Sequence, residues 1–306
     1  MTIHAPETTG SGVLADLRRV LATGHTRPLD WRREQLRAIE RFVDEREPEI
    51  AAALAEDLGR SAVEAWLGDI ASTKGEAAYA RKHVRKWMRR RRESLPLAQL
   101  PGRAWVQYDP LGVVLIVGPW NYPLYLSLAP LVAAVAAGNC AMVKPSELAP
   151  ATSGLLARLL PRYVDPEAVR VVEGDAAVTQ ELLAAGFDHV LFTGGTEVGK
   201  KIMAAAAPTL TPVTLELGGK SPVIVAADAD VDVAARRIAW TKLLNSGQTC
   251  IAPDYVLADR RIADELVGKI VANVRDFRAG EVDQGLRIVN QRQFDRLVSL
   301  ISTTDG

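Results

Sequence analysis

The chain has 306 residues, with 37 basic and 37 acidic side chains, a formal net charge of zero and 48% hydrophobic residues. That length suits two domains with substantial cores, and the charge balance gives no reason to expect a nucleic-acid partner. Only two cysteines occur, Cys140 and Cys250, which argues against a disulfide framework and fits a reducing, cytoplasmic setting.

Residues 1–12 are polar and lack the apolar segment of a secretory leader. Residues 13–92 read as helices, because Leu36, Ile39, Phe42, Val43, Ile50 and Leu54 recur at three- and four-residue spacing. Pro28 precedes the first long helix, and Pro48 interrupts or bends it. The stretch 62–92 closes on a run of Arg and Lys, read as a solvated helix C-terminus rather than a membrane or nucleic-acid patch. Between 95 and 110, Pro96, Pro101, Gly102 and Pro110 punctuate short extended pieces, and 104–108 alternates as a strand does.

From Gly112 the pattern becomes strand 113–117, helix 124–137, strand 141–143 and helix 151–160. Strands 169–172, 189–192 and 213–215 follow, separated by helical stretches. The apolar run 124–143 contains Pro130, Gly138 and Asn139, so it reads as a buried helix and strand, not as a membrane segment. Short buried strands alternating with helices predict an α/β fold with a doubly wound parallel sheet. A second α/β unit begins with strand 223–225, helix 231–244, strand 255–257 and helix 262–277, and it looks unfinished.

Ligands of such sheets bind beyond the carboxyl ends of the strands, where the motifs at 118–121, 144–147 and 193–196 fall. Cys250 follows a Ser-Gly-Gln-Thr turn whose amides suit a thiolate nucleophile, whereas Cys140 lies among small apolar residues and reads as core. Glu216, between two leucines and before Gly218-Gly219, reads as a strand-end carboxylate in an apolar enclosure, suited to a general base acting on water; a salt-bridged strand-end glutamate is the plainer reading. Asn121 offers a neutral amide to an oxyanion, with the Cys250 backbone N–H as second donor; otherwise it is a turn residue before Pro123. Lys144 and Glu147 are spaced to face one sugar, and Ser146 or Thr152 is a candidate cap for the next helix. Thr193, Gly194, Gly195, Thr196 and Gly199 form a strand–turn–helix start suited to a pyrophosphate, outside the Walker and G-x-G-x-x-G patterns. Four scattered histidines and no spaced ligand cluster argue against a metal site.

Four phrases, Gly-Pro-Trp-Asn-Tyr-Pro at 118–123, Lys-Pro-Ser-Glu-Leu at 144–148, Leu-Glu-Leu-Gly-Gly-Lys-Ser-Pro at 215–222 and Asn-Ser-Gly-Gln-Thr-Cys-Ile-Ala-Pro-Asp-Tyr at 245–255, carry a resemblance as a set. Over 36–291 the chain resembles the aldehyde dehydrogenase superfamily, most of all its class three branch of fatty and aromatic aldehyde dehydrogenases, which are typically dimeric. The resemblance implies a Rossmann-like NAD-binding domain with N-terminal helices at 1–94 and its core at 111–217. It also implies a β-hairpin oligomerisation arm at 95–110 and an incomplete catalytic domain at 218–306. Family chains continue well past this length, so the resemblance implies a shortened product or one completed by another segment.

By resemblance, Cys250 attacks the aldehyde, Asn121 holds the oxyanion and Glu216 activates the water that releases the carboxylic acid. Lys144 and Glu147 hold the adenosine ribose, and Trp120 and the 193–199 turn lie beside the cofactor. Glu147 favours NAD, with NADP also accommodated. Two other readings are a non-catalytic remnant that retains nucleotide binding and a coenzyme A-acylating relative; Glu216 argues against the latter. An apolar aliphatic or aromatic aldehyde is expected, lined by Tyr122, Tyr125 and Trp240, in a homodimer if the arm is present.

Overall fold

The structure, a computed structural model, describes residues 10–278 and 287–303. Its N-terminal part is helical: α1 (Gly10–Ala22), α2 (Leu29–Glu45), α3 (Glu47–Leu58), α4 (Ala62–Ala65), a π-helical turn Trp66–Ile70, and α5 (Ala71–Trp87). Pro28 is the N-cap of α2, and Pro48 falls in the first turn of α3, where a missing N–H costs nothing. The basic run divides. Arg85 and Lys86 close α5, but Arg91 and Arg92 belong to β1 (Arg91–Glu93), which pairs antiparallel with β2 (Ala104–Val106). The helical reading of 62–92 therefore runs too far. Pairing of Arg91 with Val106 and Arg92 with Trp105 decides the backbone there, and the ribbon takes its first strand from before residue 95.

Five parallel strands follow: β3 (Val113–Val117), β4 (Cys140–Lys144), β5 (Val169–Val171), β6 (His189–Gly194) and β7 (Val213–Leu217). Their order across the sheet is β5-β4-β3-β6-β7, so the chain winds outward from β3 in one direction and returns to build the other half. Connecting them are α6 (Tyr125–Ala137), α7 (Pro150–Leu159), α8 (Ala176–Ala184) and α9 (Thr196–Ala206).

Alternation along the strands sorts the core into two layers. Val114, Ile116, Ala141, Val143 and Val169 pack with Leu36, Ile39, Phe42, Leu54, Leu128 and Leu131 on one face. Val113, Leu115, Val117, Cys140, Met142 and Phe192 pack with Leu14, Leu17, Leu182 and Ile202 on the other. All five residues of β3 are buried, as a central parallel strand covered on both sides requires. Burying each Leu or Ile of these layers is worth roughly 1.5–3 kcal/mol.

The second unit holds β8 (Pro222–Val225), α10 (Val231–Leu243), β9 (Tyr255–Ala258) and α11 (Ala263–Phe277), with β8 and β9 paired in parallel. Its core is small: Val225, Ala235, Ile238 and Leu266. A further helix, α12 (Gln291–Thr303), lies beyond the elements expected from the sequence, and none of its residues is buried. Among the described residues no helix is long and apolar enough to cross a membrane.

Neither Ser146 nor Thr152 caps α7. That work falls to Asp57 near the end of α3, whose carboxylate accepts from the Ala151 and Thr152 backbone N–H groups at 2.9 and 2.8 Å and from the Thr152 hydroxyl at 2.7 Å. A cap delivered across 94 residues ties the N-terminal helices to the loop after β4. Asp57→Ala is expected to lower stability by about 1–2 kcal/mol in urea unfolding, because two helix-end amides lose their acceptor. A change below about 0.3 kcal/mol would mean that water replaces the carboxylate without loss.

Candidate active site

Strand order reverses between β3 and β6, which places the crevice of the sheet beyond their carboxyl ends. β3 leads directly into Gly118-Pro119-Trp120-Asn121, β4 ends on Lys144, and β6 ends on Gly194 before α9 begins at Thr196. The register pairs Thr193 with Glu216 and Gly194 with Leu217, so β7 delivers Glu216 to the same end of the sheet.

Cys250 arrives from the second unit on an unusual turn. After α10, Asn245, Ser246 and Gly247 adopt positive φ angles of 51, 52 and 75° in succession. Glycine accepts that backbone freely, whereas a non-glycine residue there costs of order 1–3 kcal/mol and persists only when its surroundings impose it. The surroundings are explicit. Asn245 is buried, and its amide donates to Asn121 O at 2.8 Å and Gln248 O at 3.2 Å. The Gln248 side-chain amide donates to Asn245 O and Arg287 O, both at 3.1 Å, and accepts from the Val289 N–H at 3.0 Å.

Besides the Asn245–Asn121 bond, two more join this turn to the loop after β3. Asn121 Nδ2 donates to Gln248 O at 3.0 Å, and the Tyr122 hydroxyl meets Thr249 Oγ1 at 2.8 Å. Asn121 is thus bonded to Gln248, 127 residues on in sequence and two before Cys250. One N–H of the Asn121 amide is engaged by Gln248, leaving the second for a ligand. The Cys250 thiol is free and exposed. Cys140 is buried in the sheet, and burial pushes its thiol up to about 12.

Beneath the cluster lies a buried ion pair that the sequence did not announce. Arg60, between α3 and α4, and Asp69, in the π-helical turn, have side chains 1% and 0% exposed and bond through Arg60 Nη1. Arg60 Nη2 donates to Asn121 O, Nε donates to Asn245 Oδ1 at 3.3 Å, and the guanidinium lies 4.5 Å from the centre of the Tyr122 ring. Asp69 Oδ1 accepts the Leu124 and Tyr125 N–H groups, at 3.1 and 2.8 Å, where α6 starts. Burial pushes the Asp69 carboxyl up from its ordinary value, while Arg60 and the two amides pull it back. A π-helical turn often marks a functional site, but it is a structural sign, invisible in periodicity. The nearest sequence signal is the Ser61–Glu64 capping box, which starts α4 one residue after Arg60.

On the nucleotide side, Lys144 is buried and its ammonium donates to Gly174 O at 2.7 Å, Pro145 O at 2.9 Å and Glu147 Oε2 at 3.2 Å. Thr193 and Gly194 close β6, and Gly195 is the N-cap of α9, which has no side-chain cap on its first-turn amides. A side chain built at Gly195 would meet nothing within 4 Å, so space stands open at that helix start. Gly199 packs on Leu217 instead, where a Cβ would approach within 3.0 Å, so its part is helix–strand packing. Uncapped amides for a phosphate, with Lys144 and Glu147 at the end of β4 for hydroxyl groups, fit a dinucleotide.

Two expectations change. Glu216 is exposed on β7, without the apolar enclosure read from its leucine neighbours, because Leu215 and Leu217 point to the opposite face of the strand. Trp240 stacks edge-on with Phe277 in a separate pocket of the second unit, and the Tyr125 hydroxyl faces Glu76. Of the three aromatic residues expected to line a substrate path, Tyr122 alone has a bond to the Cys250 loop, through Thr249, among the described residues. Among the described residues no group of three or more His, Cys, Asp or Glu gathers as a metal site would need.

The pattern of the aldehyde dehydrogenase family matches residues 19–305. The chain belongs to that family. It is 48% identical over 288 residues to aldehyde dehydrogenase family 3 member A2 of Mus musculus, covering 93% of this chain and 60% of the relative. To the dimeric NADP-preferring aldehyde dehydrogenase of the same organism it is 42% identical over 300 residues, 96% of this chain and 65% of the relative. A substrate-bound structure of AldH from Staphylococcus aureus superposes with a TM-score of 0.90 at 38% identity, over 95% of this chain and 64% of that one. The chain thus spans a little over three-fifths of the length of these relatives. Both curated relatives lie on the class three side of the family, where the sequence motifs pointed.

The contrast between the two cysteines is measurable. A thiol-specific disulfide reagent at about pH 8 is expected to label one cysteine in the folded chain and two after denaturation. Cys250→Ser should abolish labelling of the folded protein; labelling of Cys140 in the native state would contradict its burial.

Proposed function

We propose that this dehydrogenase oxidises an aldehyde to a carboxylic acid through a covalent intermediate on Cys250, with NAD or NADP as cofactor. The observation that carries the reading is the Asn121–Gln248 bond, which sets a neutral amide donor beside the loop of an exposed, unpaired thiol. The Cys250 thiolate attacks the carbonyl carbon, and the second N–H of Asn121 together with the Cys250 backbone N–H stabilises the oxyanion. A nicotinamide cofactor bound beyond the strand ends would supply the hydride acceptor that the oxidation needs. Glu216 takes a proton from the water that cleaves the Cys250 thioester, returning the thiolate and releasing the acid. Open space around Gly218 and Gly219 leaves room for that carboxylate to move.

Lys144 and Glu147 hold ribose hydroxyls in this reading, with Trp120, Thr193, Gly194, Gly195 and Thr196 beside the cofactor. Glu147, partly exposed and paired with Lys144, favours NAD by repelling a 2′-phosphate, while the NADP preference named for one relative supports NADP as well. An apolar aliphatic or aromatic aldehyde suits the Tyr122 wall, and a reducing cytoplasm suits a free catalytic thiol. The exposed ribbon of β1 and β2, with Trp105 on its surface, supports a homodimer, in line with the dimer named for the same relative.

Two measurements test this on the full chain. p-Nitrophenyl acetate, an ester that needs no cofactor, should acetylate Cys250 in intact-mass spectra and leave Cys250→Ala unmodified. NADH absorbance from NAD and a medium-chain aldehyde should rise with the chain and stay flat with Cys250→Ala. Acetylation at another residue, or NADH formation that survives the substitution, would refute the assignment.

A further inference from the structure

Arg60 has no hydrogen bond to Cys250 among those the structure shows, yet its guanidinium meets both the loop after β3 that carries Asn121 and the turn that leads to Cys250. Its three bonded nitrogens reach Asp69, Asn121 O and Asn245 Oδ1, and its flat face covers Tyr122, which in turn holds Thr249. Asp69 fixes the other end by accepting two amides at the start of α6. Hydrogen bonding between partners 61 and 185 residues away makes this one buried side chain a joint between the loop after β3 and the left-handed turn of the second unit.

We propose that Arg60 is a positioning residue for the acyl chemistry of Cys250: it aligns the Asn121 amide with the thiol by clamping the Asn121 backbone to the Asn245 turn. The proposal rests on the reading of Cys250 as nucleophile and adds the device that sets its geometry. Positive φ at Asn245 and Ser246 shows what the clamp must hold, since such a turn relaxes when its side-chain bonds are cut. Three acceptors face Arg60, and an ammonium is a single point of charge with three donors, so lysine retains the buried charge opposite Asp69 and part of the clamp.

The experiment measures p-nitrophenyl acetate hydrolysis by the full chain, expressed per titratable Cys250 thiol, in Arg60→Met and Arg60→Lys. Misplacement by about 1 Å is expected to lower turnover per thiol about 100-fold in Arg60→Met, with the ester KM within about threefold. Arg60→Lys is expected to return to within about fivefold of the parent chain. A purely structural role would reduce the number of reactive thiols and leave turnover per thiol unchanged, and that result overturns the proposal.

Should Arg60→Met fail to fold, Asn245→Gly cuts the link while letting the backbone keep its left-handed form. Turnover per thiol there is expected to fall about tenfold, and unchanged turnover likewise overturns the proposal. If the parent chain hydrolyses no ester, the functional reading fails separately. The rate of Cys250 alkylation by iodoacetamide then reads the clamp: a change of about fivefold or more in Arg60→Met, reversed in Arg60→Lys, supports it, and equal rates overturn it.

Discussion

A charge pair out of reach of water governs the geometry of this site. Arg60 and Asp69 are as buried as the central strand of the sheet, and neither lies on it. Replacing such a pair by apolar residues of similar volume is often neutral for stability, but removing one partner strands a charge at a cost of about 3–5 kcal/mol. What the pair provides is specificity of arrangement. Arginine is suited to the position because its planar fork serves a carboxylate, a backbone carbonyl and a side-chain amide from one fixed group. The α6 start, the Asn121 loop and the Asn245 turn are each satisfied only when all three are in place.

The fold divides the remaining work cleanly. The parallel sheet brings Asn121, Lys144, Thr193 and Glu216 to one end by strand length alone, since each lies at or just beyond the carboxyl end of a strand of five or six residues. Rigid strands with helices on both faces are a good platform for a nucleotide, which needs amides and a cation at set spacing. Cys250 is delivered differently, by a turn in a unit whose own core, among the described residues, is the small cluster of Val225, Ala235, Ile238 and Leu266. Its placement depends on hydrogen bonds to the first unit more than on packing within the second. Arg287 and Val289 add to that tether through Gln248, and Arg287 further caps the last carbonyls of α3 at Ala55 and Glu56.

Much of this was legible in the chain itself. The five strands of the sheet were read within two residues at either end, because fully buried parallel strands are short apolar runs bounded by glycine, proline and polar residues. The motif residues fell at strand ends for the same reason. What misled was local context taken as environment. Two leucines beside Glu216 suggested an apolar pocket, although neighbours in a strand point away from one another. A basic run after α5 suggested a longer helix, although strand pairing claims its last residues. Asp57, Arg60 and Asp69 carried no local signature, since each acts on partners 9 to 185 residues distant.

The sequence by itself determined the family and the doubly wound sheet, and it singled out Cys250, Asn121 and the strand-end residues as candidates, because these depend on hydrophobic period, turn chemistry and short motifs. Tertiary structure decided which of them meet. Asn121 meets the loop that leads to Cys250 where a buried guanidinium, an aspartate in a π-helical turn and a left-handed asparagine satisfy one another. Hydrogen-bonding groups removed from water must find partners wherever the fold brings them, and no local pattern records where that will be.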